Sequence, residues 1–195
     1  YTFSVDVNGD TSFEPNETFF VNVTNVTGAF IADGQGLGTI VNDDVSSGPR
    51  IHDVQGTGSA SPMVGQTVTL QGIVTANFQA ANSLGGFYLQ EEDANIDADP
   101  ATSEGIFIFH STTTVAVGDK VNVTGTVAEL GTAPNTLTEI TTATVQIVSS
   151  GNPLPALVDV DLPVASVTDL ERYEGMRVRL PQTMTVSEHF SLARY

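Results

Sequence analysis

Alternation dominates the chain. Apolar and polar residues exchange places at successive positions through residues 1–7, 18–24, 38–42, 65–74, 86–90, 105–109, 118–127 and 136–148. A period of two turns one set of side chains to one face of an extended segment, so each stretch predicts a β-strand. Helical spacing is confined to Ser166-Val-Thr-Asp-Leu-Glu-Arg-Tyr, where Ser166 is the expected N-cap and Gly175 the expected stop. The pattern predicts an all-β protein.

Two of the strands repeat each other. Gly65-Gln-Thr-Val68-Thr-Leu-Gln-Gly72-Ile-Val74 and Gly118-Asp-Lys-Val121-Asn-Val-Thr-Gly125-Thr-Val127 share a glycine turn, an alternating run and a mid-strand glycine. A glycine there removes a side chain where a strand bends sharply, as it must when a small sheet closes on itself. With the strands at 86–90, 105–109 and 136–148 this makes five, and five short strands with a long bent first one match the order of an OB-fold, a small barrel whose second and third strands form the usual binding face.

Turn signals set the boundaries. Asn8-Gly9-Asp10 between alternating runs predicts a hairpin within residues 1–44, and Val45-Ser-Ser-Gly-Pro reads as a linker over 45–50. Residues 51–150 form the barrel module. Residues 151–195 read as the start of a further β-unit, with strands expected at 176–180 and 183–186. The opening alternation of Tyr1-Thr-Phe-Ser-Val-Asp-Val is neither a signal peptide nor an initiator segment, so the chain reads as a piece of a longer one.

Composition narrows the chemistry. The absence of cysteine removes disulfides, thiolate metal sites and cysteine nucleophiles. No apolar run approaches the length of a membrane-spanning helix. The net charge is −17, and residues 51–150 contribute ten acids and a single base. Such a module repels phosphate, whereas nucleic-acid binding ordinarily rests on Lys and Arg.

Two stretches resemble known families. Glu14-Pro-Asn-Glu-Thr-Phe-Phe-Val-Asn-Val, followed by Ile31-Ala-Asp-Gly-Gln-Gly-Leu-Gly-Thr-Ile-Val-Asn-Asp-Asp44, is similar to the C-terminal half of a Calx-β domain, an Ig-like sandwich. Arg50-Ile-His-Asp-Val-Gln-Gly, Gly86-Phe-Tyr-Leu-Gln-Glu, Thr102-Ser-Glu-Gly-Ile-Phe-Ile-Phe, Val117-Gly-Asp-Lys-Val and Leu170-Glu-Arg-Tyr-Glu-Gly-Met resemble the OB-fold accessory region of large secreted bacterial nucleases. That resemblance implies a secreted or cell-surface protein whose downstream catalytic domain, of the endonuclease/exonuclease/phosphatase type, cleaves DNA with a divalent metal. It implies that this segment is a non-catalytic accessory region, with no catalytic residue and no small-molecule cofactor of its own. A calcium-stiffened structural or adhesion module is the rival reading.

Four groups of residues are candidates for a site. Asp10, Glu14, Glu17, Asp43 and Asp44 could converge on a Ca²⁺, which takes six to eight such oxygens, and Glu14, Glu17, Asp43 and Asp44 sit where calcium-binding Calx-β domains carry their acids; the alternative is solvated loop acids. Asp6, Asn8, Asp10, Ser12, Glu14 and Glu17 also fall at EF-hand spacing, but Thr11 stands where that loop needs glycine. Asp93, Asp97 and Asp99, in the loop after the second barrel strand, offer a second Ca²⁺ site or a solvated connection. If Phe87, Leu89, Ile106 and Ile108 point inward, then Tyr88, Phe107 and Phe109 share the outer face, where they would stack bases or meet a neighbouring domain. Arg177 and Arg179 lie two apart on a strand, able to meet phosphate or to pair with Glu171, Glu174 and Glu188. His52, His110 and His189 share no spacing and form no triad.

Overall fold

A computed structural model describes residues 16–41, 48–132 and 135–185. The chain divides into two compact units, Tyr1–Ser47 and Gly48–Tyr195.

In the first unit, strand β1 (Glu17–Asn22) pairs antiparallel with β2 (Gln35–Ile40), in register from Glu17 opposite Ile40 to Asn22 opposite Gln35. The Asn22 side chain accepts a 2.9 Å bond from the Gln35 amide, and the Val23 N–H reaches the Gly34 carbonyl at 2.8 Å. The expected strand at 1–7, its Asn-Gly turn and the acids Asp10, Glu14, Asp43 and Asp44 lie outside the described residues.

The second unit is a closed five-stranded barrel entered through a single turn of helix α1 (Ile51–Gln55). Its strands are β3 (Thr67–Phe78), β4 (Gly86–Gln90), β5 (Gly105–Ile108), β6 (Lys120–Thr132) and β7 (Asn135–Ser149), in the spatial order β3-β4-β5-β7-β6 with β6 returning to β3. All neighbours are antiparallel except β5 and β7, which run parallel with Phe107 opposite Glu139. This is an OB-like barrel, and the five strands lie where alternation puts them.

Alternation also fills the interior. Val68, Leu70 and Val74 of β3, Phe87 and Leu89 of β4, Ile106 and Ile108 of β5, Val121, Val123 and Val127 of β6, and Ile140 of β7 form one buried cluster. Ile51 and Val54 of α1 join it, so the short helix plugs the barrel rather than leading up to it. The two mid-strand glycines take up inward positions in the same rows. A Cβ on Gly125 would lie 2.5 Å from Ile140 Cγ2 and 2.7 Å from the Thr141 carbonyl oxygen, and one on Gly72 would lie 2.7 Å from the Gln90 carbonyl oxygen. Gly125 also sits where the β6–β7 register shifts between Thr124 and Thr126, the local bend that lets a long strand wrap a small barrel.

Residues after 151 pack onto this barrel within the second unit. Strand β8 (Val158–Asp159) pairs parallel with β9 (Val178–Arg179), each of only two residues, and between them lies a 3-10 helix (Val167–Tyr173). Ser166 caps that helix: its hydroxyl oxygen accepts the Thr168 N–H, and its own N–H donates to Asp169 at 2.9 Å. The strand expected at 176–180 is thus the shorter β9, and residues 183–185 carry no strand.

Candidate functional site

The outer face of the barrel carries a groove over β4, β5 and β7. Cross-strand register lines up Tyr88, Phe107 and Glu139 in one row, Tyr88 opposite Phe107 and Phe107 opposite Glu139. Two residues along each strand, on the same face, come Phe109, Leu137 and Thr141, and Leu84, Leu130 and Thr142 complete the walls of a groove of about 500 Å³. The Tyr88 and Phe107 rings are tilted against each other at 5.0 Å between centroids, and Phe78 meets Tyr88 edge-on at 6.1 Å. Phe107 is only 3% exposed and forms the floor, whereas Phe109 is 53% exposed at the rim beside the exposed Leu84 and Leu130. Inward Phe87, Leu89, Ile106 and Ile108 and outward Tyr88, Phe107 and Phe109 are the arrangement that alternation predicts.

Glu139 is the polar member of this floor. It is 7% exposed, and its Oε2 is buried with no hydrogen-bond partner. Burial, reinforced by the Glu129 carboxylate, pushes its pKa up. Glu129 lies beside it on β6, with its Oε1 accepting from the Ser61 N–H at 2.7 Å and the Thr138 hydroxyl at 2.8 Å, and its Oε2 likewise buried without a partner. Tyr88 titrates above its ordinary range through burial and then through the nearby Glu174 charge. Among the described residues no lysine or arginine lines the groove. At its rim Thr142 holds φ at +50°, a conformation that β-branched residues seldom adopt.

A second polar assembly lies at the ends of β4 and β5, and it joins segments far apart in sequence. The Gln55 side-chain amide donates to the Gly105 carbonyl at 2.5 Å and to Glu174 at 3.4 Å. Ser103 donates its hydroxyl to the Glu174 carbonyl at 2.5 Å, Glu174 Oε1 accepts the Thr138 N–H at 2.8 Å, and Gln90 accepts the Arg177 N–H at 2.9 Å. Gly105 and Gly175 touch backbone to backbone, so closely that a Cβ on Gly105 would overlap the Gly175 peptide. Burial drives Glu174 up to about 7, opposed by the Thr138 bond.

Beside this junction His52, Glu91 and Glu104 present ligand atoms within 4.8 Å of one another, the one such group of three among the described residues. These residue types suit a divalent cation. Each already has an internal partner. His52 Nδ1 bonds Glu104 at 3.0 Å, the Ile51 N–H donates to Glu91 at 3.3 Å, and the Arg50 guanidinium stands 3.5 Å from Glu91. Burial raises Glu91 to about 7, although the Ile51 bond and Arg50 pull the other way. Burial lowers the His52 pKa, but the bond to Glu104 and the charges of Glu104, Asp97 and Asp53 outweigh it and leave a net rise.

The loop acids separate. Asp93 accepts the Ala156 N–H at 2.9 Å, Asp97 accepts the Asp99 N–H and the Thr102 hydroxyl, and Asp99 accepts the Ala101 N–H, each at 2.9–3.3 Å. Asp97 alone of the three comes near the histidine, 4.0 Å from His52 Nε2. Glu17 lies exposed at the start of β1. Arg179 forks onto Asp159 at 2.6 and 2.7 Å, while the Arg177 guanidinium bonds the Pro155 carbonyl. The sequence pattern singled out neither Glu139 nor the grouping of His52 with Glu91 and Glu104, and it set Glu174 only beside Arg177 and Arg179; the contacts that define these groups, Phe107 with Glu139, His52 with Glu104 and Gln55 with Glu174, span 32, 52 and 119 positions. The one signal for Glu139 was its place in β7, a carboxylate where an apolar outer face was forming. Comparison with protein-family models, with curated proteins and with solved structures found no match.

Proposed function

We propose that Gly48–Tyr195 is a non-catalytic docking module, the accessory region of a secreted bacterial nuclease, and that the groove over β4, β5 and β7 is its contact surface for a protein partner. The observation that carries this reading is the groove itself: three aromatic rings on or just beyond the second and third barrel strands, the ones OB-like barrels use for binding, walled by Leu84, Leu130 and Leu137, with their rim in solvent. Protein contact is favoured over nucleic acid because the groove holds a buried glutamate and no basic residue, whereas single-strand binding combines stacking rings with a cationic track. The nuclease context rests on the resemblance of the five motifs, four of which contribute residues to the junction that binds α1, β4, β5 and the 3-10 helix together.

The reading has two tests. Labelled single-stranded DNA, titrated with the whole chain at low ionic strength, is expected to show no saturable change in anisotropy; a shift that Phe109→Ala abolishes would make the groove a nucleic-acid site. Double- and single-stranded DNA incubated with the purified chain and Mg²⁺ or Ca²⁺ is expected to stay intact. Cleavage that co-purifies with the chain would end the accessory reading.

A further inference from the structure

Glu139 presents a problem that the apolar walls around it do not solve. A carboxylate 93% removed from solvent ordinarily has hydrogen-bond donors on its oxygens, because an ionised group buried without them is costly. Here Oε2 has none, and the nearest charge that acts on it is another carboxylate, Glu129, which has an unpartnered buried oxygen of its own. Glu139 is the one charged side chain among the described residues that line the groove, so nothing on those walls offsets it. Phe107 shares the groove floor, Tyr88 packs against it with a ring face that attracts cations, and beyond them stand the exposed Phe109, Leu84 and Leu130.

We infer that the groove takes the cationic side chain of a partner protein segment, a lysine or arginine flanked by apolar residues, with Glu139 as the counter-charge at the groove floor. The inference rests on the docking reading given above and specifies its partner. Charge complementarity selects the occupant: a phosphate or an acidic peptide would meet Glu139, and a purely apolar segment would leave it unpaired. A cationic head on an aliphatic stem brings the missing counter-charge over Glu139 while the stem lies along Tyr88, Phe109 and Leu137. The apolar rim suits a flanked side chain better than a free small cation, since Leu84 and Leu130 stand exposed at the sides and need something to cover them.

The probes are two capped tripeptides, acetyl-Leu-Arg-Leu-amide and acetyl-Leu-Gln-Leu-amide, titrated into the whole ¹⁵N-labelled chain and followed by amide shifts. The arginine peptide should perturb Tyr88, Phe107, Phe109 and Thr141 and bind about tenfold more tightly than the glutamine peptide, equivalent to about 1.4 kcal/mol. In Glu139→Gln, which keeps the side chain's shape, the two should bind alike while the spectrum stays folded. Equal binding of both peptides to the native chain, or a preference that survives Glu139→Gln, overturns the inference and leaves the groove as a neutral docking surface. Tetramethylammonium binding as tightly as the arginine peptide overturns the assignment to a protein segment. If neither peptide moves the groove amides, the docking reading itself falls.

Discussion

Glu91 and Glu174 each pass from an ordinary carboxylate in the unfolded chain to a group with a pKa of about 7 in the fold. Between about pH 4.5 and 7 the folded protein therefore holds protons that the unfolded chain has released. The sign follows: their contribution to stability is full below the unfolded value and is lost as pH rises through the folded one. His52 acts in the same direction, since its raised pKa adds stability at low pH that fades as the ring deprotonates. A rise in pKa from 4.5 to about 7 corresponds to about 3 kcal/mol for a fully buried carboxylate, and to less at Glu174, which is partly solvated. Urea midpoints should accordingly be higher at pH 5.5 than at pH 8. Glu174→Gln, which keeps an oxygen for the Thr138 N–H, should raise the midpoint at pH 8 and flatten the profile; an unchanged slope would show that Glu174 ionises freely. Gly105 gives a steric prediction at the same scale. Gly105→Ala drives a methyl into the Gly175 peptide and should cost about 1–3 kcal/mol in denaturant melts, with no dependence on pH.

The elements after β7 are held by this junction more than by burial of their own. The 3-10 helix buries none of its residues, and β8 and β9 share a ladder of two residue pairs. What secures them is Gln55, Gln90 and Ser103 bonding to residues 174–177. Gln55→Ala removes the bond to Glu174 and the short bond to the Gly105 carbonyl, a loss of about 1–3 kcal/mol. Hydrogen exchange should speed up across the 3-10 helix and β9 while β3 and β6 keep their protection; uniform acceleration would mean that the segment and barrel open together. The barrel strands could be read from the sequence because period-two alternation is local, with Gly72 and Gly125 marking the inward positions where β3 and β6 bend. The junction could not, because Gln55, Ser103 and Glu174 are unremarkable in their own surroundings and acquire partners only when the chain closes. Tyr88, Phe107 and Phe109 were legible for the reason the strands were, while the acid among them depended on the parallel pairing of β5 with β7, which no local pattern specifies.

Across the whole molecule, 23 acids stand against 6 basic side chains. Self-repulsion of that size weakens the compact state, and added salt screens it. Raising NaCl from about 10 mM to about 500 mM should therefore raise the thermal midpoint, against the falling trend expected were exposed pairs such as Arg179 with Asp159 the main electrostatic support. Among the described residues no helix is long and apolar enough to cross a membrane. The circular order of the barrel has a bearing on life at high local concentration. With β6 bonded to both β3 and β7, none of the five strands lies at the end of an open sheet, and the barrel itself offers a neighbouring molecule no sheet edge on which to add a strand. Barrels of this kind can stand side by side in a crowded assembly without pairing edge to edge, and the contact they make with one another is left to side chains.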